Sequence, residues 1–234
     1  MKRLVAAVCI VLISLSLIPG RAHALSEQRE IYLTFDDGPS RQYTPAILDI
    51  LKRHGVKATF FVVGSNVATC GDILRRMLSE GHTIGAHCHE HVYSRIYKSP
   101  QRFQADLLKC IETIQRTLPG YKVRHYRFPG GSFTVSEGYI RIVKEMGLKI
   151  IDWNCVNGDT EIRGASEEQV IETAISTSKG KRKAVILMHD NKRITAKALD
   201  EVIRHFKEKG YKFRKFRFYN KCWGQEKKAS TFFI

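Results

Sequence analysis

Apolar residues recur along the chain in two registers. Seven short runs, at 31–35, 58–63, 82–86, 123–128, 148–152, 184–188 and 211–216, are rich in β-branched, aromatic and aliphatic residues and read as strands. Between them the apolar positions fall three and four apart, the spacing of one helix face. Thr44-Pro45 opens such a helix, Ile47, Leu48 and Leu51 line its face, and Gly55 closes it. Ser99-Pro100 opens another, with Phe103, Leu107, Ile111, Ile114 and Leu118 in line. Ser166 and Gln169 form a capping box ahead of Val170, Ala174 and Ile175. Thr195 begins the last helix, which stacks Leu199, Val202, Ile203 and Phe206 before Gly210. Seven strands alternating with six helices predict a parallel α/β fold, either an open sheet or a closed barrel. Both architectures place their sites at the carboxyl ends of the strands.

The first 24 residues stand outside this pattern. Lys2 and Arg3 precede an apolar stretch that Pro19-Gly20 ends, and Ala22-His23-Ala24 fits a small-x-small cleavage site, so residues 1–24 read as a secretory signal. The stretch is short of the roughly 20 residues a membrane helix needs, leaving an uncleaved membrane anchor as the alternative. The mature chain is then expected to be secreted or wall-associated, with one domain over 25–220, a tail at 221–234, and no partner subunit. The formal charge of +16 falls to +13 once Lys2, Arg3 and Arg21 leave with the signal. In an exported protein that charge points to anionic wall polymers or lipid surfaces rather than nucleic acid. Five cysteines remain after the signal, Cys70, Cys88, Cys110, Cys155 and Cys222; they form no CxxC pair and leave room for one or two bridges.

Titratable residues gather where the strand runs end. "YLTFDDGPS", residues 32–40, sets Asp36 beside Asp37, two carboxylates that each raise the cost of ionising the other. "GHTIGAHCHEH", residues 81–91, holds four of the nine histidines. His87 and His91 lie four apart, one helical turn, so their rings can face one point, as in many His-x-x-x-His metal sites. "RFPGG" follows the fourth run, Asp152-Trp153 and Asp159 the fifth, and "HDN" the sixth. One Asp and two His make a facial metal triad, and beside a cation a second aspartate can stay ionised and accept a proton from water. Adjacent residues on an extended chain point opposite ways, so a bend at Gly38-Pro39 is needed to bring both in.

These five motifs, "TFDDGPS", "HCHEH", "RFPGG", "DWN…NGD" and "LMHD", occur in an order that resembles the polysaccharide deacetylases of the NodB-homology type, carbohydrate esterase family 4. The similarity runs from about residue 30 to residue 216. It implies a single-domain distorted (β/α)7 barrel and a metal-dependent N-deacetylase. It makes Asp36 the base, Asp37, His87 and His91 the metal ligands, and His189 the general acid. Arg127 would hold Asp36, and Asp159 would orient His189 or raise its pKa. The implied cofactor is a divalent metal, usually zinc, with cobalt, manganese or nickel as alternatives. The implied substrate is an N-acetylglucosamine polymer, peptidoglycan or a chitin-like chain.

Two departures stand out. Cys88 replaces the usual Ser or Thr after the first His, as an isostere or as an oxidisable neighbour of the metal. Gly130 replaces the aromatic that many members carry after the motif's proline, so substrate contact there is left to Gly130 backbone, Phe133 or Trp153. His82 is expected to pack at a strand start, His125 and His205 to lie on the surface, and His89 and Glu90 to face solvent. A non-catalytic glycan-binding relic of the fold is the competing class, and the complete set of motifs argues against it.

Overall fold

The computed structural model describes residues 28–217. The signal at 1–24, the tail at 221–234 and Cys222 lie outside the described residues. Eight strands are present: β1 (Glu30–Asp36), β2 (Thr59–Val63), β3 (Thr83–Cys88), β4 (His125–Tyr126), β5 (Lys149–Ile150), β6 (Cys155–Val156), β7 (Lys183–His189) and β8 (Lys212–Arg214). Eight α-helices accompany them: α1 (Thr44–His54), α2 (Gly64–Thr69), α3 (Gly71–Ser79), α4 (Tyr93–Ile96), α5 (Pro100–Thr117), α6 (Glu137–Glu145), α7 (Glu167–Ser178) and α8 (Arg193–Glu208). All described strand pairs are parallel. The order is β5-β4-β3-β2-β1-β7-β6, with β8 beside the first half of β1. This is the expected α/β barrel, left open: β5 and β6 end the strand order, and residues 151–154 run between them.

The strong patterns became the strong elements. Ser99 caps α5 by accepting from Arg102 N, the capping box of Ser166 and Gln169 is formed, and Gly55 ends α1 at φ 65°. Three expectations shift. β6 sits in a polar stretch that gave no strand signal. The runs at 123–128 and 148–152 contribute two strand residues each. The last helix starts at Arg193, two residues early, because Thr195 turns its hydroxyl inward to Asp159 instead of capping.

β1 sits mid-sheet. Ile31, Leu33 and Phe35 are buried with Ile47, Leu48 and Leu51 of α1 in one core. By strand alternation Tyr32, Thr34 and Asp36 face the other way, into the curl. Arg127, just past β4, reaches across that interior to Thr34 and Asp36. The catalytic candidates therefore stand at the carboxyl end of a barrel whose lining β1 and Arg127 share.

Candidate metal and catalytic site

Asp36 ends β1 almost fully buried, and Arg127 Nη1 donates to its Oδ1 at 2.9 Å. The other guanidinium N–H groups go to Thr34 Oγ1 (2.8 Å), the Ile151 carbonyl (3.0 Å) and the Asp152 carbonyl (3.2 Å). Burial pulls the Arg127 pKa below its ordinary value while the Asp36 charge opposes that fall. With each hydrogen bond fixed by backbone or by a buried side chain, Arg127 holds the Asp36 carboxylate in one place.

Asp37 turns away from its neighbour through its own backbone. Its φ is 70°, a left-handed conformation uncommon outside glycine, and Asn66 Nδ2 donates to its carbonyl at 2.8 Å. The Gly38–Pro39 peptide that follows is cis. This half-turn at Asp37 separates the two carboxylates expected to need a bend.

Asp37 Oδ1 lies 3.5 Å from His87 Nε2 and 3.0 Å from His91 Nε2. One ligand atom from each of the three residues falls within a 4.8 Å cluster. The histidines do not share a helical turn: His87 is in β3, and His91 is in the following loop at φ 54°. The loop is tied down by Asp106, which accepts from the backbone N–H of His89 (2.7 Å) and Glu90 (3.1 Å).

The donor set fits a cation. His87 Nδ1 lies 2.8 Å from the Arg127 carbonyl, which can only accept, so Nδ1 carries the hydrogen and Nε2 offers a lone pair. That lone pair faces Asp37 Oδ1, which is buried without a well-formed hydrogen bond. Burial would raise the Asp37 pKa, yet the His87 and His91 rings more than offset it and hold the carboxyl well below its usual range. The Asp37 carboxylate, 3.0 Å away, in turn raises His91 against the effect of burial. Two nitrogens and one oxygen converging in this way suit a divalent transition metal.

His189 ends β7 in register with Asp36. Its Nδ1 is 2.7 Å from Asp159 Oδ1, and its backbone N–H donates to Asp159 Oδ2 at 2.8 Å. Burial disfavours the imidazolium, but the bond to Asp159 and its charge outweigh burial and push His189 up to about 9. At neutral pH it is a protonated acid with Nε2 remaining.

The structure gives packing roles to residues that the sequence pattern left without one. Asp190, next to His189, is fully buried beneath the Asp36–Gly38 turn and accepts from Thr44 Oγ1 at 2.7 Å. A Cβ on Gly38 would sit 2.0 Å from Asp190 Oδ2, so only glycine lets the turn lie on that carboxyl. Burial pushes Asp190 up to about 7. Tyr93 stands 5.5 Å, ring to ring, from His91. At Gly130, φ 80°, a Cβ would meet the Tyr93 ring at 3.3 Å. Tyr93, the first residue of α4, thus fills the space beside Gly130 with an aromatic that comes from a different element. The signal for it was faint, a tyrosine two residues after the last histidine of the second motif.

Phe133 is 67% exposed, and its ring packs edge-on to Trp153 at 5.5 Å, while Trp153 also covers Arg127 at 5.4 Å. Two surface expectations fail. His125 is buried at the base of the sheet, and His89 is buried with Nδ1 unpartnered, its ring against Gly64. Glu90 is exposed and His82 buried, as expected. Cys88 is buried, and burial raises its thiol well above 9.0, which makes it a poor source of reactive thiolate. Cys70, Cys88, Cys110 and Cys155 are all free, so the room the sequence left for one or two bridges is not used among the described cysteines.

The family model for polysaccharide deacetylases matches residues 24–151. The chain belongs to the polysaccharide deacetylase family. It is 37% identical over 185 residues to a peptidoglycan-N-acetylglucosamine deacetylase of Listeria monocytogenes, covering 79% of this chain and 37% of that one. The chain thus spans well under half of that relative's length. A Bacillus cereus peptidoglycan-N-acetylglucosamine deacetylase is 33% identical over 195 residues, covering 81% and 70%. Among solved structures, a Streptococcus mutans CE4 esterase superposes with a TM-score of 0.76 at 32% identity, covering 81% of this chain and 87% of that one. That polysaccharide deacetylase fold is the open parallel barrel described above.

Proposed function

We propose that this polysaccharide deacetylase is a metal-dependent hydrolase that removes acetyl groups from N-acetylglucosamine units of peptidoglycan. The observation that carries this reading is the juxtaposition of three groups at the carboxyl ends of β1, β3 and β7. They are the Asp37–His87–His91 cluster, the Asp36–Arg127 pair and the His189–Asp159 pair. The names of the Listeria and Bacillus relatives support the substrate. The complete set argues against a glycan-binding relic.

A divalent ion held by Asp37, His87 and His91, which we take to be zinc, would polarise the amide carbonyl and acidify a water molecule. Asp36 is the base that takes the proton from attacking water, and Arg127 keeps its carboxylate oriented for that transfer. The tetrahedral oxyanion is assigned a backbone N–H of the 127–131 turn. His189, protonated at neutral pH, gives its Nε2 proton to the departing nitrogen while Asp159 holds the ring through Nδ1. Water and amide are converted to acetate and a free amine. Tyr93, Phe133 and Trp153 are assigned to the walls that hold the sugar, beside the Gly130 backbone. The enzyme is taken to be exported, freed of residues 1–24 and monomeric. No helix among the described residues is long and apolar enough to cross a membrane.

Mass spectrometry of muropeptides after incubation with the protein tests the reading. Loss of acetyl from N-acetylglucosamine, matched by acetate release, is expected. Deacetylation of chitooligosaccharides with none of muropeptides would replace the substrate, and no acetate from either would overturn the activity.

A further inference from the structure

Asp37 and His91 sit in different turns, after β1 and after β3, and each holds a left-handed backbone, φ 70° and φ 54°. Such conformations are costly outside glycine and persist where the surroundings enforce them. One segment meets both turns, residues 63–66, where β2 ends and α2 begins. Val63 N–H donates to the Gly38 carbonyl at 2.9 Å, and Ser65 N–H donates to the His89 carbonyl at 3.1 Å. The first N–H groups of a helix have no partner within it, which leaves the Ser65 N–H at the start of α2 free to take that carbonyl. Asn66 adds its side chain, Nδ2 donating to the Asp37 carbonyl at 2.8 Å. The His89 ring lies against Gly64.

His87 is placed by the same end of β2. Pairing of β2 with β3 runs Phe61 with Gly85 and Val62 with Ala86, then slips to Val63 with Cys88 and skips His87. His87 is thus the extra residue at a register shift, the geometry of a bulge, which re-aims a side chain at a strand end. The turns of Asp37 and His91 and the bulge of His87 all lean on residues 62–66, none of which belongs to the Asp37–His87–His91 cluster. Among these hydrogen bonds the one from Asn66 is made by a side chain, so a substitution can remove it. The Asp37 carbonyl can only accept, so the amide nitrogen is the atom that must face it. Holding that carbonyl fixes the peptide plane beyond Cα, and with it the direction in which the Asp37 side chain leaves the backbone.

We propose, on the reading of that cluster as a metal site, that Asn66 is a positioning residue that sets its metal affinity without touching the ion. Asn66 orders Asp37 in its half-turn before an ion arrives, so binding does not have to supply that order. The test is competition for zinc between the full chain and a chromophoric chelator, with thermal melting of the zinc-free protein beside it. Asn66→Ala is expected to weaken zinc binding by roughly 10–100-fold, the usual effect of removing a group that holds a metal ligand from behind. Asn66→Asp keeps the shape of the side chain but turns an oxygen toward the Asp37 carbonyl. Aspartate suits the first turn of a helix. Its zinc-free melting temperature should therefore hold while zinc binding weakens as in Asn66→Ala, a split that a merely structural residue would not produce. Thr69→Ala removes a hydroxyl that donates to the Asn66 carbonyl at 3.1 Å and leaves the bond to Asp37 in place, so zinc affinity should stay. Wild-type zinc affinity in both Asn66 variants overturns the proposal and leaves the metal reading standing. Equal weakening in Thr69→Ala overturns it too, as does a loss of affinity that follows the zinc-free melting temperature in both Asn66 variants. A wild-type chain that binds no zinc overturns the metal reading and the proposal with it.

Discussion

Asp36 and Asp37 are neighbours whose environments differ completely. Asp36 continues the strand and is gripped by a buried guanidinium at 2.9 Å, whereas Asp37 flips to φ 70° and faces two imidazoles. Asp36→Asn is therefore expected to keep its metal and lose turnover by roughly 100-fold or more, the usual scale for a positioned base. Asp37→Asn should lose metal as well. Metal analysis beside kcat checks both, and equal metal loss in the two would contradict the division of roles. His189 is raised from 6.5 to about 9, chiefly because Asp159 outweighs the effect of burial. A raised pKa means that the pair stabilises the fold fully below about 6.5 and loses that contribution as pH rises through about 9. The alkaline edge of kcat should lie near that upper value, and Asp159→Asn should move it to lower pH while the acid edge stays. An edge that does not move, or moves up, would detach Asp159 from His189. The motif residues were legible because each is a titratable type at a strand end. Asp190 stood in a motif without a role and Tyr93 outside the motifs, since what each does depends on what packs against it, Gly38 in one case and Gly130 in the other.

The turns after β1, β3 and β4 seat the residues of the site. At Gly38 a methyl group would lie 2.0 Å from Asp190 Oδ2. Gly38→Ala is expected to cost about 1–3 kcal/mol, the usual scale of overpacking, and to lower turnover by displacing Asp36 and Asp37. Denaturant melts and kcat measure the two effects, and an unchanged variant would show that the turn is not seated on Asp190. Between β3 and α5, Tyr93 places its ring beside the position where Gly130 stands in for an aromatic. If it forms the sugar wall, Tyr93→Ala should raise KM several-fold with little change in kcat, and Tyr93→Phe should restore KM. A fall in kcat alone would move Tyr93 from binding to positioning. Helices with caps and long apolar faces, α1, α5 and α7, were readable from residue spacing. The two-residue strands β4, β5 and β6 were not, because their pairing is imposed by neighbours. The apparent helical spacing of His87 and His91 misled for a related reason: convergence there comes from a strand end and a left-handed loop residue, which no periodicity reports.

The open barrel ties these parts together through Arg127. It is fully buried, reaches from beyond β4 to β1, accepts no solvent contact and carries His87 on its own carbonyl oxygen. Removing it leaves the Asp36 charge buried and unpaired, so Arg127→Met is expected to lose about 3–5 kcal/mol of stability along with activity. A stable but inactive variant would limit Arg127 to orienting the base. In the proposed mechanism the Asp37–His87–His91 cluster is a metal site that the rest of the barrel serves. The most direct check is a titration of zinc into chelator-stripped protein with acetate release from an N-acetylglucosamine oligomer as readout. Activity is predicted to be absent without metal and to rise linearly until one ion is bound per chain. Full turnover by the stripped protein, or activity unrelated to one bound ion, would contradict it.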